Sequence, residues 1–153
     1  MMRMISVGVG RSWAFGAALV LAISAVPTPS LAAADGPIDD PKIWCGEAAK
    51  TISDKDTEKF IDSFIFAAGH LVDRPTAAQA FAALGPALAR SGEALSPSFL
   101  LEKAYGDSFS RSWFLIQFEN GPLFLRCEGV KRGKGWLINS VIYNNESDKV
   151  SLP

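Results

Sequence analysis

Residues 112–128 read Ser-Trp-Phe-Leu-Ile-Gln-Phe-Glu-Asn-Gly-Pro-Leu-Phe-Leu-Arg-Cys-Glu, and this stretch decides the fold. Aromatic and branched apolar residues fill two runs, which is typical of β-strands. Asn120-Gly121 between the runs is the strongest short signal for a hairpin, although Pro122 lacks an N–H and favours a wider loop. The stretch therefore predicts two antiparallel strands, at Ser110–Glu119 and Leu123–Val130.

The hairpin determines which side chains share a face, because side chains alternate along a strand. We predict that Phe118 pairs with Leu123, which places Phe114 opposite Cys127. A further strand is predicted at Trp136–Tyr143. The face that we expect to point inward then carries Phe114, Ile116, Phe118, Leu123, Leu125, Cys127, Trp136, Ile138 and Ile142.

The opposite side of the sheet, called the second face below, is also rich in apolar side chains. A sheet with one solvated face should instead alternate between apolar and polar residues. Large exposed apolar patches usually mark interaction sites. Either another chain, most simply a second copy, or the short N-terminal segment would cover this face. The candidate interface residues are Trp113, Leu115, Phe124, Leu137, Val141 and Tyr143.

The residues before Phe99 have a helical period. Apolar residues between Ser53 and Val72 recur at the spacing of an amphipathic helix, with acidic residues in its first turn. A short helix is predicted at Ile43–Ile52, and another after Arg74-Pro75, which Gly85-Pro86 would kink or break. Phe99–Tyr105 fits either a strand or a short helix. The sequence thus predicts an α+β fold, with N-terminal helices packed on a three- to four-stranded antiparallel meander.

Residues 1–34 have the three parts of a cleavable signal peptide. Arg3 and Arg11 are the only charged residues, residues 13–26 are apolar, and Ala32-Ala33-Ala34 provides a cleavage motif. The apolar run is shorter than the roughly 20 residues of a spanning helix, and an uncleaved anchor is the alternative. We expect export to the periplasm or the cell exterior, without an integral membrane span after cleavage. Residues 35–52 would be a leader with a short helix, and residues 53–153 a single α+β domain.

The chain has two cysteines, Cys45 and Cys127. In an oxidising compartment an even cysteine count favours a disulfide, and an inward Cys127 would be within reach of the helical half. Two separate buried thiols are the alternative. The C-x-x-C spacing of redox-active pairs is absent. We therefore predict a structural Cys45–Cys127 disulfide.

Candidate catalytic and metal-binding groups are few. His70 is the one histidine; it falls on the polar side of its helix with Asp73 three residues later, and a solvated surface histidine is the preferred interpretation. The acids between Asp54 and Asp62 depart from the calcium-loop pattern and suit a solvated helix start. We predict no catalytic residue, no metal site and no cofactor, and the sequence does not favour an enzyme. A net charge of −1 gives no general attraction to nucleic acid.

The run Trp113–Arg126, with Gly135-Trp136-Leu137-Ile138-Asn139 and the later Asn144, resembles small exported bacterial domains of unassigned function. These domains look like members of the nuclear-transport-factor-2-like (cystatin-like cone) superfamily, and the resemblance covers residues 54–152. It implies a curved sheet wrapped against helices, often with a cavity between them and with dimers formed through the outer sheet face. The chain lacks the inward acid and paired tyrosine of ketosteroid-isomerase-like members, so their catalysis is not carried over.

Two functions remain open from the sequence. The first is an exported, non-catalytic accessory or assembly domain that acts through the apolar second face, as a homodimer or with another exported protein. The second is a binder of a small apolar ligand, held in a cavity between helices and sheet. The candidate cavity residues are Phe64, Phe81, Phe114, Ile116 and Ile138.

Overall fold

A computed structural model describes residues 35–153, so the predicted signal peptide at residues 1–34 lies outside the described residues. The helices are α1 at Pro41–Ser53, α2 at Thr57–Ala67, α3 at Arg74–Ala80 and α4 at Leu84–Arg90. The strands are β1 at Ala94–Tyr105, β2 at Phe109–Phe118, β3 at Gly121–Arg132 and β4 at Gly135–Asn144, followed by a 3-10 helix at Ser147–Val150. The strands form one curved antiparallel sheet in the order β1-β2-β3-β4. The predicted α+β fold is confirmed, and no helix in residues 35–153 is long and apolar enough to cross a membrane.

Aspartates begin the first three helices. The Asp40 carboxylate accepts the Lys42 N–H at 2.7 Å and begins α1, and Asp56 caps α2 in the same way. Asp73 caps α3, and its hydrogen bonds from Thr76 hold its pKa below the ordinary value. Side-chain acceptors of this kind satisfy N–H groups that a helix start leaves free. The Asp73 cap starts α3 at Arg74, whereas the sequence predicted this helix after Arg74-Pro75.

The helices pack on the inner face of the sheet around one continuous hydrophobic core. Trp44, Cys45 and Ile52 of α1 belong to this core together with α2 and the sheet. Phe81 makes edge-to-face contacts with Phe60 and Phe64, at ring-centroid distances of 4.9 and 5.1 Å. The short helix at the start of the described chain is thus an integral part of the packed domain.

The predicted disulfide forms inside this core. Cys45 of α1 is bonded to Cys127 of β3, with 5.9 Å between the two Cα atoms. The two residues are 0% and 1% exposed. The bond joins the first helix to a central strand across 82 positions of sequence.

The predicted register of the β2–β3 hairpin is wrong by two residues. Phe118 pairs with Gly121 rather than with Leu123, and Cys127 lies opposite Ser112 rather than opposite Phe114. Glu119-Asn120 form the turn. A shift of two residues keeps every side chain on its face, so the predicted faces of β2 and β3 hold.

The turn takes this position because its backbone donors bond to the connection between α4 and β1. The N–H groups of Glu119 and Asn120 donate to the carbonyls of Glu93 and Ser91, each at 3.0 Å. The Asn120 side-chain amide also donates to the Arg90 carbonyl, at 2.8 Å. These bonds are long-range in sequence, so a local turn preference at Asn120-Gly121 does not decide the register.

A β-bulge corrects the predicted faces of β4. Gly129 pairs with Ile138 and Glu128 with Ser140, which leaves Asn139 as an extra residue. An extra residue reverses the faces beyond it. Trp136 and Ile138 point inward as predicted, but the faces of the three residues after Ser140 are exchanged: Val141 and Tyr143 lie on the inner face, and Ile142 lies on the second face.

Strand β1 resolves the ambiguity at Phe99–Tyr105 in favour of a strand. It pairs with β2 through two register shifts, at Ala94/Ser96 and at Phe99/Leu101. Pro97 lies between them. β1 is an edge strand in the described part of the chain, because its one sheet neighbour is β2.

Candidate binding surfaces

Rows of side chains from neighbouring strands cross the second face. Leu115 lies directly opposite Phe124, and both are partly exposed. Charged residues occupy a middle row, with aromatic residues beyond it. Taken in order along β2, the first row is Leu115 beside Phe124, and the second is Trp113 beside Arg126 and Ile142. The third row is Lys103, Arg111 and Glu128, and the fourth is Tyr105, Phe109 and Val130.

The charged row is held by ion pairs that are largely buried. Glu128 Oε1 lies 2.8 Å from Arg111 Nε and 3.2 Å from Arg126 Nη2. Glu128 and Arg126 are 9% and 8% exposed. Buried charges are stable only when paired, so this carboxylate holds both guanidinium groups in place. Two cations on one anion leave this part of the second face with a positive excess.

The C-terminal segment, residues 147–153, covers the centre of the second face. The Val150 side chain is 0% exposed, and Trp113 beneath the segment is 2% exposed. The Val150 carbonyl oxygen accepts hydrogen bonds from Trp113 Nε1 at 3.1 Å and from Arg126 Nη1 at 2.9 Å. The N-terminal segment, which the sequence suggested as the cover, lies elsewhere: Ile38 forms a bridge with Trp136 beside the β3–β4 turn.

The structure separates the candidate interface residues into groups. Trp113, Leu115 and Phe124 lie on the second face, although Trp113 is covered by residues 147–153. Val141 and Tyr143 pack against the inner core instead, because of the bulge at Asn139. Leu137 Cδ2 would lie 2.7 Å from a Cβ atom built on Gly69, which places Leu137 beside the end of α2.

Leu115 and Phe124, with Ile142 nearby, form one partly exposed apolar patch of the second face, and Phe109 and Val130 beside the exposed Tyr105 form another across the charged row. Sequence reasoning assigned Ile142 to the interior. It also missed Val150, whose only signal was one β-branched apolar residue among the polar residues 144–151.

The five candidate cavity residues fill the core. Phe64, Phe81, Phe114, Ile116 and Ile138 are all buried in the main hydrophobic cluster. Phe64 and Phe81 also line a groove of about 450 Å³ between α3 and β4. Phe114, Ile116 and Ile138 line neither this groove nor the one described next.

A second groove, of about 610 Å³, opens between α4 and the turn of the β2–β3 hairpin. Its apolar surface comes from Leu88, Phe118, Leu123 and Tyr143. Arg90, Asn144 and Asn145 add polar groups, and no Asp or Glu among residues 35–153 lines it. Tyr143 lines both grooves, and burial raises the pKa of its phenol above the ordinary value of 10.0.

His70 and the acidic residues of α2 occupy exposed positions. His70 follows α2 in a left-handed conformation with φ of 57°, and Asp73 is engaged as the cap of α3. Glu58 and Asp62 both form ion pairs with Arg74. In residues 35–153, no group of three or more His, Cys, Asp or Glu side chains is placed to hold a metal ion.

Comparison of the chain with protein-family models, curated protein sequences and solved structures found no match. The disulfide is compatible with an exported protein, because such bonds persist in oxidising compartments.

Proposed function

We propose that this chain is an exported, non-catalytic accessory or assembly domain that acts through its second face, with a second copy as its partner. The contact would be made by Leu115, Phe124 and Ile142. The Cys45–Cys127 disulfide supports the export part of the proposal. The superfamily resemblance supports the dimer part, since outer-face dimers are frequent in the nuclear-transport-factor-2-like superfamily, and membership of that superfamily is itself part of the proposal.

The observation that carries the proposal is the Leu115–Phe124 pair. Both side chains are partly exposed on a face opposite to the helices, and Ile142 is near them on β4. The neighbouring Arg126–Glu128 ion pair provides a rigid polar border. An apolar centre with a polar rim is the usual anatomy of a protein interface. In a two-fold dimer the same patch would serve both copies.

Replacing Phe124 with glutamate tests the proposal. We expect residues 35–153 to sediment as a dimer at micromolar concentrations, and Phe124→Glu to weaken the dimer by at least about tenfold, because a charge would be buried against an apolar patch. Leu71→Glu is the matched control, since Leu71 is 71% exposed in the loop after α2 and should leave the dimer unchanged. Circular dichroism verifies that both variants fold. A wild-type chain that sediments as a monomer would contradict the proposal.

A second candidate function is supported by the 610 Å³ groove. Its volume lies in the range of small-molecule sites, and an apolar lining with a few polar groups is typical of such sites. The lining contains Arg90 and several amides without a carboxylate. An amphipathic molecule could place its apolar part over Leu88 and Tyr143 there.

The Tyr143 phenol reports on this groove. Because its folded-state pKa is raised, the neutral phenol stabilises the fold fully below the unfolded pKa of about 10, and this contribution is lost as pH rises through the folded pKa. A bound ligand whose apolar part lies over Tyr143 would bury the phenol further and shift its ionisation to higher pH. We expect the phenolate absorbance to appear at lower pH after extraction of the purified protein with organic solvent. Tyr143→Phe identifies the signal, and an identical titration before and after extraction would argue against a retained ligand.

A further inference from the structure

The two grooves described above meet at Tyr143, which lines both of them. On their sheet side they follow β4 and the residue after it: one is lined from Asn139 to Tyr143 and the other from Tyr143 to Asn145. The stretch from Ser140 to Asn145 rises by about 17 Å, at roughly 3.4 Å per residue. The two grooves therefore form one elongated depression along β4, called the β4 groove below, with α3 beside one end and α4 beside the other.

The two ends of the β4 groove differ in polarity. The α3 end is lined mainly by apolar side chains, Phe64 and Val72 among them, and no charged residue of the described chain lines it. The α4 end contains Arg90 together with the side-chain amides of Asn144 and Asn145. An apolar lining with a few polar groups at one end suits an amphipathic molecule, because each part of the molecule then meets matching surroundings.

Arg90 supplies the charge at the α4 end. Its main-chain carbonyl accepts a hydrogen bond from the Asn120 side chain at 2.8 Å, which fixes the residue at the end of α4. Its guanidinium group forms no ion pair with the acids of residues 35–153. The Glu119 carboxylate of the neighbouring turn accepts the Glu93 N–H instead, at 3.0 Å. Guanidinium groups bind carboxylates through paired hydrogen bonds, so Arg90 is available to an anionic head group.

We propose that the β4 groove binds a single-chain amphipathic carboxylate, with the carboxylate at Arg90 and the apolar chain running over Tyr143 towards Val141. This inference rests on the second candidate function proposed above and names its ligand as an anion of the fatty-acid type. Dodecanoate spans about 14 Å when extended, from C–C bonds of about 1.5 Å. Its chain is thus long enough to pass from the α4 end of the groove into the α3 end.

Calorimetric titration of solvent-extracted residues 35–153 with dodecanoate, below its micelle concentration, tests the ligand class. Each methylene that the groove buries should strengthen binding by about fourfold, so we expect octanoate to bind at least about tenfold more weakly than dodecanoate. Dodecyltrimethylammonium has the same chain with a cationic head group. It should bind at least about fivefold more weakly than dodecanoate, because Arg90 would repel it.

Two variants locate the head group and the chain. Arg90→Gln should weaken dodecanoate binding by about fivefold, the effect of a partly exposed ion pair, and should not weaken the binding of dodecyltrimethylammonium. Its control, Arg132→Gln, removes the same charge at the end of β3, outside both grooves. Ala80→Glu places a carboxylate at an exposed position in the apolar α3 end and should weaken dodecanoate at least about tenfold. Its control, Ala78→Glu, adds the same charge to α3 outside both grooves.

The outcomes separate this inference from the second candidate function. Dodecanoate binding that both Arg90→Gln and Ala80→Glu weaken, while their controls bind as the wild type does, supports the inference. Dodecyltrimethylammonium that binds as tightly as dodecanoate, or either variant binding dodecanoate as tightly as the wild type, overturns it and leaves the 610 Å³ groove as a site for another ligand. A wild-type chain that binds no dodecanoate also overturns it, and the Tyr143 titration then tests the groove for a different molecule. Circular dichroism verifies that each variant folds.

Discussion

Replacing both cysteines by alanine, in the variant Cys45→Ala/Cys127→Ala, should lower the free energy of unfolding by about 4 kcal/mol. The bond closes a loop of 82 positions, and a loop of this size strongly restricts the unfolded chain. Alanine is the suitable replacement because both residues are buried, and a serine hydroxyl would need a partner there. Urea denaturation monitored by circular dichroism measures the loss.

The single variant Cys127→Ala serves as the matched control for this prediction. It breaks the same bond and should lie within about 1 kcal/mol of the double variant, since the remaining Cys45 thiol is compatible with an apolar core. Reduction of the wild-type protein should move its unfolding midpoint towards that of the double variant. A double variant as stable as the oxidised wild type would show that the bond contributes nothing to stability.

Phe60→Ala should destabilise the domain by about 3–5 kcal/mol, the range for truncating a buried aromatic side chain. Phe60 is 0% exposed and makes an edge-to-face contact with Phe81, so its loss leaves a void between α2 and the segment after α3. The same urea denaturation experiment measures this change.

Phe66→Ala on the same helix is the control for Phe60→Ala. Phe66 is 51% exposed, and its truncation should change the free energy of unfolding by less than about 1 kcal/mol. Equal losses at the two positions would mean that the inward face of α2 is assigned incorrectly.

The alternation of side chains in strands and the period of helices are local sequence patterns, so the features of the fold that depend on them could be predicted. The inner face of β2 and β3, the burial of Phe60 and Phe64, and the pairing of Cys45 with Cys127 all follow from such patterns together with the cysteine count. The β2–β3 register was not predictable, because it depends on bonds from Asn120 to the distant α4–β1 connection.

The candidate site was less predictable than the fold. The bulge at Asn139 arises where β4 pairs with Gly129, and a Cβ atom built on Gly129 would lie 2.5 Å from the Cβ atom of Pro41 in α1. The close approach of a helix to a strand is a tertiary contact, and it leaves no periodic pattern in the sequence from which it could be predicted. Val150 is a comparable case, since a single apolar residue in a polar segment does not indicate which surface it covers.

Strand β1 lies at an edge of the sheet that residues 35–153 form, and this edge affects how copies of the domain can associate. An edge strand normally offers a row of unpaired N–H and C=O groups to another strand, which can lead to fibril growth. Pro97 offers no N–H, and the two register shifts beside it break the straight line of groups that an incoming strand would need. Edge-to-edge joining of sheets into filaments is thereby discouraged.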